Sequence, residues 1–191
     1  MTSKERLIAA AAELLTERPW SKVSLGAIAQ RAGVSRQTLY NEYGSRRELA
    51  QAFVLYEADR LLAAPEREIT RHVADPRRAI AAALQTFLVE ARGNHLMQAM
   101  RVEEHGDLLA LVTTRNEVID FAVARLTQHA LATWPGIEEA AARGLMDTLV
   151  RLGISHSNQP TWSPEQTGAM VADILGARAE ELFLSVSPRA A

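Results

Sequence analysis

Apolar positions recur along the chain at three- and four-residue spacing, the period of a helix that lays one face on a core. Ile80, Leu84, Phe87, Leu88 and Ala91 form one such stripe. Ile137, Ala141, Gly144, Leu145, Thr148, Leu149 and Leu152 form a second, and Thr167, Met170, Val171, Ile174, Leu175, Arg178 and Leu182 a third. The two-residue alternation of strands, with its turn dipeptides, is missing. The punctuation is helical too. Thr2 with Glu5, and Ser45 with Glu48, have the spacing of a capping box, in which two residues satisfy each other's backbone N–H. Asp75-Pro76 and Ser163-Pro164 each set a cap before a proline at the first helical position, and Gln166 adds a box partner to the second. Breaks are expected at Pro19, Gly33, Gly44, Pro65, Gly93, Gly106, Pro135-Gly136 and Asn158-Gln159-Pro160. These signals predict an all-α protein of about nine helices, over residues 3–18, 25–32, 36–42, 46–63, 76–92, 95–103, 107–132, 137–155 and 164–184.

Composition narrows the class. A length of 191 residues suits one domain, or a small module fused to a larger one. With 48% hydrophobic and 23% charged residues the chain is globular rather than disordered. It has no cysteine, which excludes disulfides, thiolate metal sites and a cysteine nucleophile. No apolar run approaches the ~20 residues of a membrane-spanning helix. The opening MTSKERLIAAAAELLTER carries acids inside its apolar stretch and no cleavage pattern, so it does not read as a signal peptide. A soluble, cytoplasmic protein is expected.

Charge adds an asymmetry. The net charge of −2 argues against bulk attraction to nucleic acid. Yet residues 1–50 hold eight basic and five acidic side chains, and residues 51–191 hold thirteen and eighteen. A basic end on an acidic body fits a protein that meets phosphate at one end only, although a difference this small also arises by chance.

Residues 24–49, SLGAIAQRAGVSRQTLYNEYGSRREL, carry the most chemistry. Ser24 can cap a short helix whose inner face is Leu25, Ile28 and Ala29. Gly33 can end that helix in the left-handed conformation, Val34 can fill the space between two helices, and Ser35 can cap the next. This is a helix-turn-helix, whose second helix enters the DNA major groove by its N-terminal end. Arg36, Gln37 and Thr38 sit in that helix's first turn, with Asn41 one turn on. Arginine can grip guanine, and glutamine adenine, through paired hydrogen bonds. Leu39 is expected in the core, Tyr40 and Tyr43 offer hydroxyls to phosphates or bases, and Arg46 offers a phosphate clamp. The competing reading is a plain three-helix structural unit.

With the amphipathic helix Lys4–Glu17 before it, AIAQRAGVSRQTLYNEYGSRREL resembles the DNA-binding domain of the tetracycline repressor (TetR) family. The matching features are Ala32-Gly33-Val34-Ser35, Thr38-Leu39-Tyr40, an aromatic at Tyr43, a basic residue at Arg46 and Glu48-Leu49. The resemblance covers residues 4–53. Two positions depart from it: Glu42 stands where the family often has a basic or aromatic residue, and Arg46 where lysine is usual. The resemblance implies a helix-turn-helix head, residues 1–45, on a ligand-binding and dimerisation body, residues 46–191. It implies a homodimer that holds a palindromic operator until a small molecule releases it, with the helix over 46–63 as lever. It also implies that the last two long helices build the dimer interface. Ala141, Gly144 and Thr148 would allow close approach there, and Met170, Ile174 and Leu182 would supply a seam. The same stripes could instead face the subunit's own core.

Candidate effector-lining residues are Leu84, Phe87, Leu88, Met97, Met100, Leu111, Arg115, Phe121 and Met146, which suggest a mainly apolar ligand. Plain core is the competing role for the apolar ones. A buried Arg115 would meet a ligand carboxylate or a protein acid; the competing reading is a stem that packs and a head that reaches water. His95 and His105 flank Glu103, Glu104 and Asp107, but the spacing matches no zinc motif, and no metal or other cofactor is expected. No GxSxG, phosphate-cradling glycine loop, HExxH or DxDxDG occurs, so no enzyme is expected. The alternative function is a helical protein-binding adaptor, which would leave Arg36, Gln37, Tyr40 and Arg46 without a task.

Overall fold

The computed structural model describes residues 1–94, 97 and 117–184. Among them the chain is all-α, with eight helices and one short 3-10 turn. They are α1 (Ser3–Glu17), the turn Trp20–Lys22, α2 (Leu25–Arg31), α3 (Arg36–Tyr43), α4 (Arg46–Arg71), α5 (Pro76–Gly93), α6 (Glu117–Thr133), α7 (Glu139–Asn158) and α8 (Pro164–Leu184). The expected helix over 95–103, Met97 apart, and residues 107–116 of the next lie outside the described residues.

The caps form as the spacing requires. Thr2 Oγ1 accepts the N–H of Glu5, and the Glu5 carboxylate accepts the N–H of Thr2. Ser163 and Gln166 exchange the same pair of bonds at 3.1 Å each. Of the box expected at Ser45 and Glu48 only half forms: Ser45 Oγ accepts from the Glu48 N–H, while the Ser45 N–H goes to the Tyr43 carbonyl; Asp75 Oδ1 accepts from the N–H of Arg78.

One break is absent. α4 runs through Pro65 to Arg71 instead of ending near residue 63. Proline there has no N–H for the carbonyl of Leu61, a cost of about 3 kcal/mol in a helix interior. Packing outweighs it. Leu62 and Ile69 on either side of Pro65 both belong to one core. Arg125 of α6 also spans the position, donating to both Glu66 carboxylate oxygens at 2.6 and 2.7 Å and to the Asp59 carbonyl at 2.8 Å.

The chain divides into two compact units, Met1–Ala58 with Gly93–Val118, and Asp59–Arg92 with Ile119–Ala191. In the first, Leu7, Leu14, Trp20, Val23, Ile28, Leu39, Leu49 and Phe53 are fully buried. Each large side chain of this kind contributes roughly 1.5–3 kcal/mol of transfer free energy. The Trp20 and Phe53 rings stack with centroids 6.3 Å apart. In the second, α5 through α8 share a core that includes Ile80, Leu84, Val123, Leu145, Met146, Val171 and Phe183. Trp134 stacks on Phe183 at 4.2 Å and donates its indole N–H to the Val73 carbonyl at 2.8 Å. Gly168 lets α8 approach α5 so closely that a Cβ there would stand 2.5 Å from the Ala81 carbonyl oxygen.

The stripe read on α7 is rotated from the buried face. The buried line is Ala142, Leu145, Met146, Val150, Gly153 and Ser157. Gly144 and Thr148 are exposed, beside the exposed ion pair of Asp147 and Arg151 (2.8 Å). On α8, Thr167, Val171 and Leu182 are buried while Ile174 and Arg178 are exposed. Leu182 therefore belongs to the subunit's own core and not to an external seam.

Candidate nucleic-acid interface

The helix-turn-helix is made by three local devices. Ser24 Oγ accepts the N–H of Ala27 at 3.1 Å and starts α2. Gly33 turns the chain with φ of 65°, a conformation open to glycine at little cost, and the Val34 N–H returns to the Ala29 carbonyl at 3.0 Å. Ser35 Oγ accepts the N–H of Thr38 at 3.0 Å and lies 2.8 Å from Thr38 Oγ1, which starts α3. Leu39, fully buried, anchors the inner side of α3.

The outer side of α3 is left to solvent. Arg36, Gln37, Tyr40 and Asn41 are all exposed, Tyr40 by 48%. Gln37 Nε2 donates to Asn41 Oδ1 at 2.9 Å, so two amide groups one turn apart are linked in advance. The link leaves an amide oxygen on Gln37 and an N–H pair on Asn41, the acceptor and donor that a base edge requires. The N-terminus of α3 adds unsatisfied backbone N–H groups and a favourable dipole for phosphate.

The other candidates are held inside the head. The Tyr43 hydroxyl donates to the Lys4 carbonyl of α1 at 3.1 Å. Burial, with the nearby Glu42 carboxylate second, pushes this phenol above its usual range and keeps it a donor. The Arg46 guanidinium donates to the carbonyls of Val23 and Trp20 and stands 4.7 Å from the centroid of the Trp20 ring. Sequence reading offers Tyr43 a phosphate or a base and Arg46 a phosphate; in the structure both donate to backbone carbonyls. It also missed Arg31, which reaches Glu17 at 2.7 Å and Glu13 at 3.3 Å and ties α2 to α1. The Arg31 hydrogen bond holds the Glu17 carboxyl below its ordinary value. The signal was available, since Glu13 and Glu17 share one face of α1 at four-residue spacing.

Of the effector candidates, Leu84, Leu88 and Met146 are buried in the core of the second unit, with Phe87 and Phe121 packed against it. Phe87 lies 3.1 Å from where a Cβ on Gly153 would stand, so α5 and α7 are in close contact there. Met97 is buried and belongs to the first unit. Met100, Leu111 and Arg115 lie outside the described residues, as do His95, Glu103, Glu104, His105 and Asp107. Among the described residues no helix is long and apolar enough to cross a membrane.

Comparison with known proteins agrees with this arrangement. Residues 7–53 match the family model described as bacterial regulatory proteins, tetR family, and residues 75–177 match that of the bacterial tetracyclin repressor C-terminal domain. The chain belongs to the TetR family. It is a helix-turn-helix transcriptional regulator of that family, whose members are DNA-binding regulators and not enzymes. As a class they bind DNA operators as homodimers. The chain is 33% identical over 173 residues to the HTH-type transcriptional regulator AlkX of Mycobacterium tuberculosis (strain ATCC 25618 / H37Rv), covering 90% of this chain and 81% of the relative. It is similar in structure to the TetR family repressor AlkX from Dietzia sp. strain DQ12-45-1b, with a TM-score of 0.83 and 28% identity, covering 95% of this chain and 97% of that one. A transcriptional regulator from Rhodococcus sp. Rha1 follows with a TM-score of 0.56 and 25% identity, over 94% of this chain and 97% of that one.

Proposed function

We propose that this TetR-family regulator is a cytoplasmic, effector-released repressor. A head of residues 1–45 reads DNA, and a body of residues 46–191 dimerises and takes a small, mainly apolar ligand. The observation that carries the reading is the open face of α3, where Arg36, Gln37, Tyr40 and Asn41 project from a capped helix whose other side is locked by Leu39. Arg36, Gln37 and Asn41 meet base edges, and the Tyr40 hydroxyl meets phosphate. Ser24, Ser35, Thr38, Tyr43 and Arg46 complete the DNA-contacting segment, chiefly by capping α2 and α3 and by tying α3 to α1 and α4 to the turn before α2.

A two-fold dimer would set two such helices into successive major grooves ~34–36 Å apart, on an inverted repeat. Effector binding favours a conformation with another spacing, by no more than the ligand's differential affinity for the two states. α4 links head and body and is the natural lever. An apolar effector suits the Leu84, Phe87, Leu88, Phe121 and Met146 side chains of the body, with Met97, Met100, Leu111 and Arg115 as further candidates. It also suits the similarity to a Dietzia repressor described as implicated in the biodegradation of n-alkanes.

Selection of bound fragments from randomised double-stranded DNA, with purified protein at moderate salt, tests the reading. Recovery of an inverted repeat supports a dimeric sequence reader. Recovery of no motif by folded, dimeric protein sinks it and favours an adaptor that binds protein.

A further inference from the structure

Gly26 is the second residue of α2, inside a helix, where glycine is a poor choice. Its backbone does not explain it, because among the described residues the glycines with positive φ are Gly33, Gly44 and Gly136. Space does. A Cβ at Gly26 would stand 2.6 Å from Nη2, 2.9 Å from Nε and 3.0 Å from Cζ of Arg36. The guanidinium of the first residue of α3 is therefore seated against the α2 backbone, in room that only glycine leaves. No hydrogen bond or ion pair to a described residue holds it there.

We propose that Gly26 is a specificity-determining position: its missing side chain forms the seat that places the Arg36 guanidinium for guanine. The proposal rests on the reading that Arg36 contacts a base. A free arginine loses much rotamer freedom when its fork docks on O6 and N7 of guanine. A seat that restricts the fork beforehand moves part of that loss out of the binding step. A methyl group at Gly26 would evict the guanidinium, which is the far end of a flexible chain, so the fold need not give way. Alanine is also the better helix former. Recognition and stability should thus move independently.

The test is DNA selection with full-length wild type, Gly26→Ala, Arg36→Ala and the double variant. It is followed by affinities for the wild-type operator, for its single-base variants and for unrelated DNA. Gly26→Ala should relax preference at the same base pairs as Arg36→Ala. The loss should be roughly five- to hundred-fold, the range of one bidentate base contact. Affinity for unrelated DNA and the melting temperature should not fall, and the double variant should be no worse than Arg36→Ala. If Gly26→Ala keeps the wild-type preference while Arg36→Ala loses it, the seat is overturned and Arg36 remains a reader. A lowered melting temperature for Gly26→Ala makes the crowding structural and overturns the seat as well. If Arg36→Ala selects the wild-type motif, or wild type selects none, the base-reading role of Arg36 falls and takes the seat with it.

Discussion

Arg46 stands over the Trp20 ring, 4.7 Å from its centroid, and donates to the Trp20 carbonyl from the same guanidinium. One side chain thus fixes the start of α4 to the 3-10 turn that follows α1. Charged hydrogen bonds to carbonyls and an arginine on an indole face together make this contact structural. Arg46→Ala should cost the head about 2 kcal/mol in chemical denaturation, with DNA binding weakened in step. Arg46→Lys keeps the charge but loses the planar fork, and should recover less than half of the stability. A stable Arg46→Ala protein that binds DNA weakly would instead return Arg46 to the phosphate.

Tyr40 provides the opposite case. Its side chain is exposed and has no structural partner among the described residues. Tyr40→Ala should leave stability within about 0.5 kcal/mol of wild type, as surface substitutions do. Its affinity should fall by a similar factor for operator and unrelated DNA, the mark of a phosphate contact. Titration against both DNAs at fixed salt, beside a denaturation curve, separates the two effects.

Pro65 marks where pattern and structure part. Taken alone, a proline after Ala63-Ala64 ends a helix. Yet Ala58, Leu61, Leu62, Pro65 and Ile69 keep one buried stripe across it. Arg125 to Glu66 and Asp59 then braces the helix from α6, a contact 59 residues away in sequence that no local reading contains. The helix-turn-helix was legible because each cap bonds an N–H only three residues on, and Gly33 and Leu39 lie two residues before and four after the second cap, Ser35. The roles of Arg46, Arg31 and Arg125 were not, because each depends on a carbonyl or carboxylate brought in by tertiary packing. Pro65→Ala should restore the N–H to the Leu61 carbonyl and raise the melting temperature. Arg125→Ala, which leaves the half-buried Glu66 unpaired, should lower stability by about 2 kcal/mol.

Acid should loosen the head through Glu17. Its carboxyl titrates below its ordinary value, chiefly because Arg31 donates to it. A folded-state value below the unfolded one means the folded state holds the proton less tightly. The stabilisation is therefore complete above the unfolded carboxylate range and is lost as pH falls through the folded value. Glu17→Gln should lower stability slightly at neutral pH and flatten the decline on the acid side. Denaturation curves at several pH values for both proteins test the sign; parallel curves would show that the pair contributes nothing.

Ile174 is 69% exposed on α8, opposite the buried line of Val171, Ala172 and Ala179. Ile174 and the exposed small residues Gly144 and Thr148 of α7 have the character that a close helix contact with a second subunit would use. If this face joins two subunits, Ile174→Asp should convert a dimer to a monomer in sedimentation while the circular dichroism of the helices persists. Operator affinity should then drop steeply with the protein diluted, because each half-site must be filled by a separate subunit. Leu182→Asp provides the contrast. It buries a charge in the subunit's own core, and should unfold the second unit and not merely split a dimer. A dimeric Ile174→Asp protein would place the subunit contact on another face.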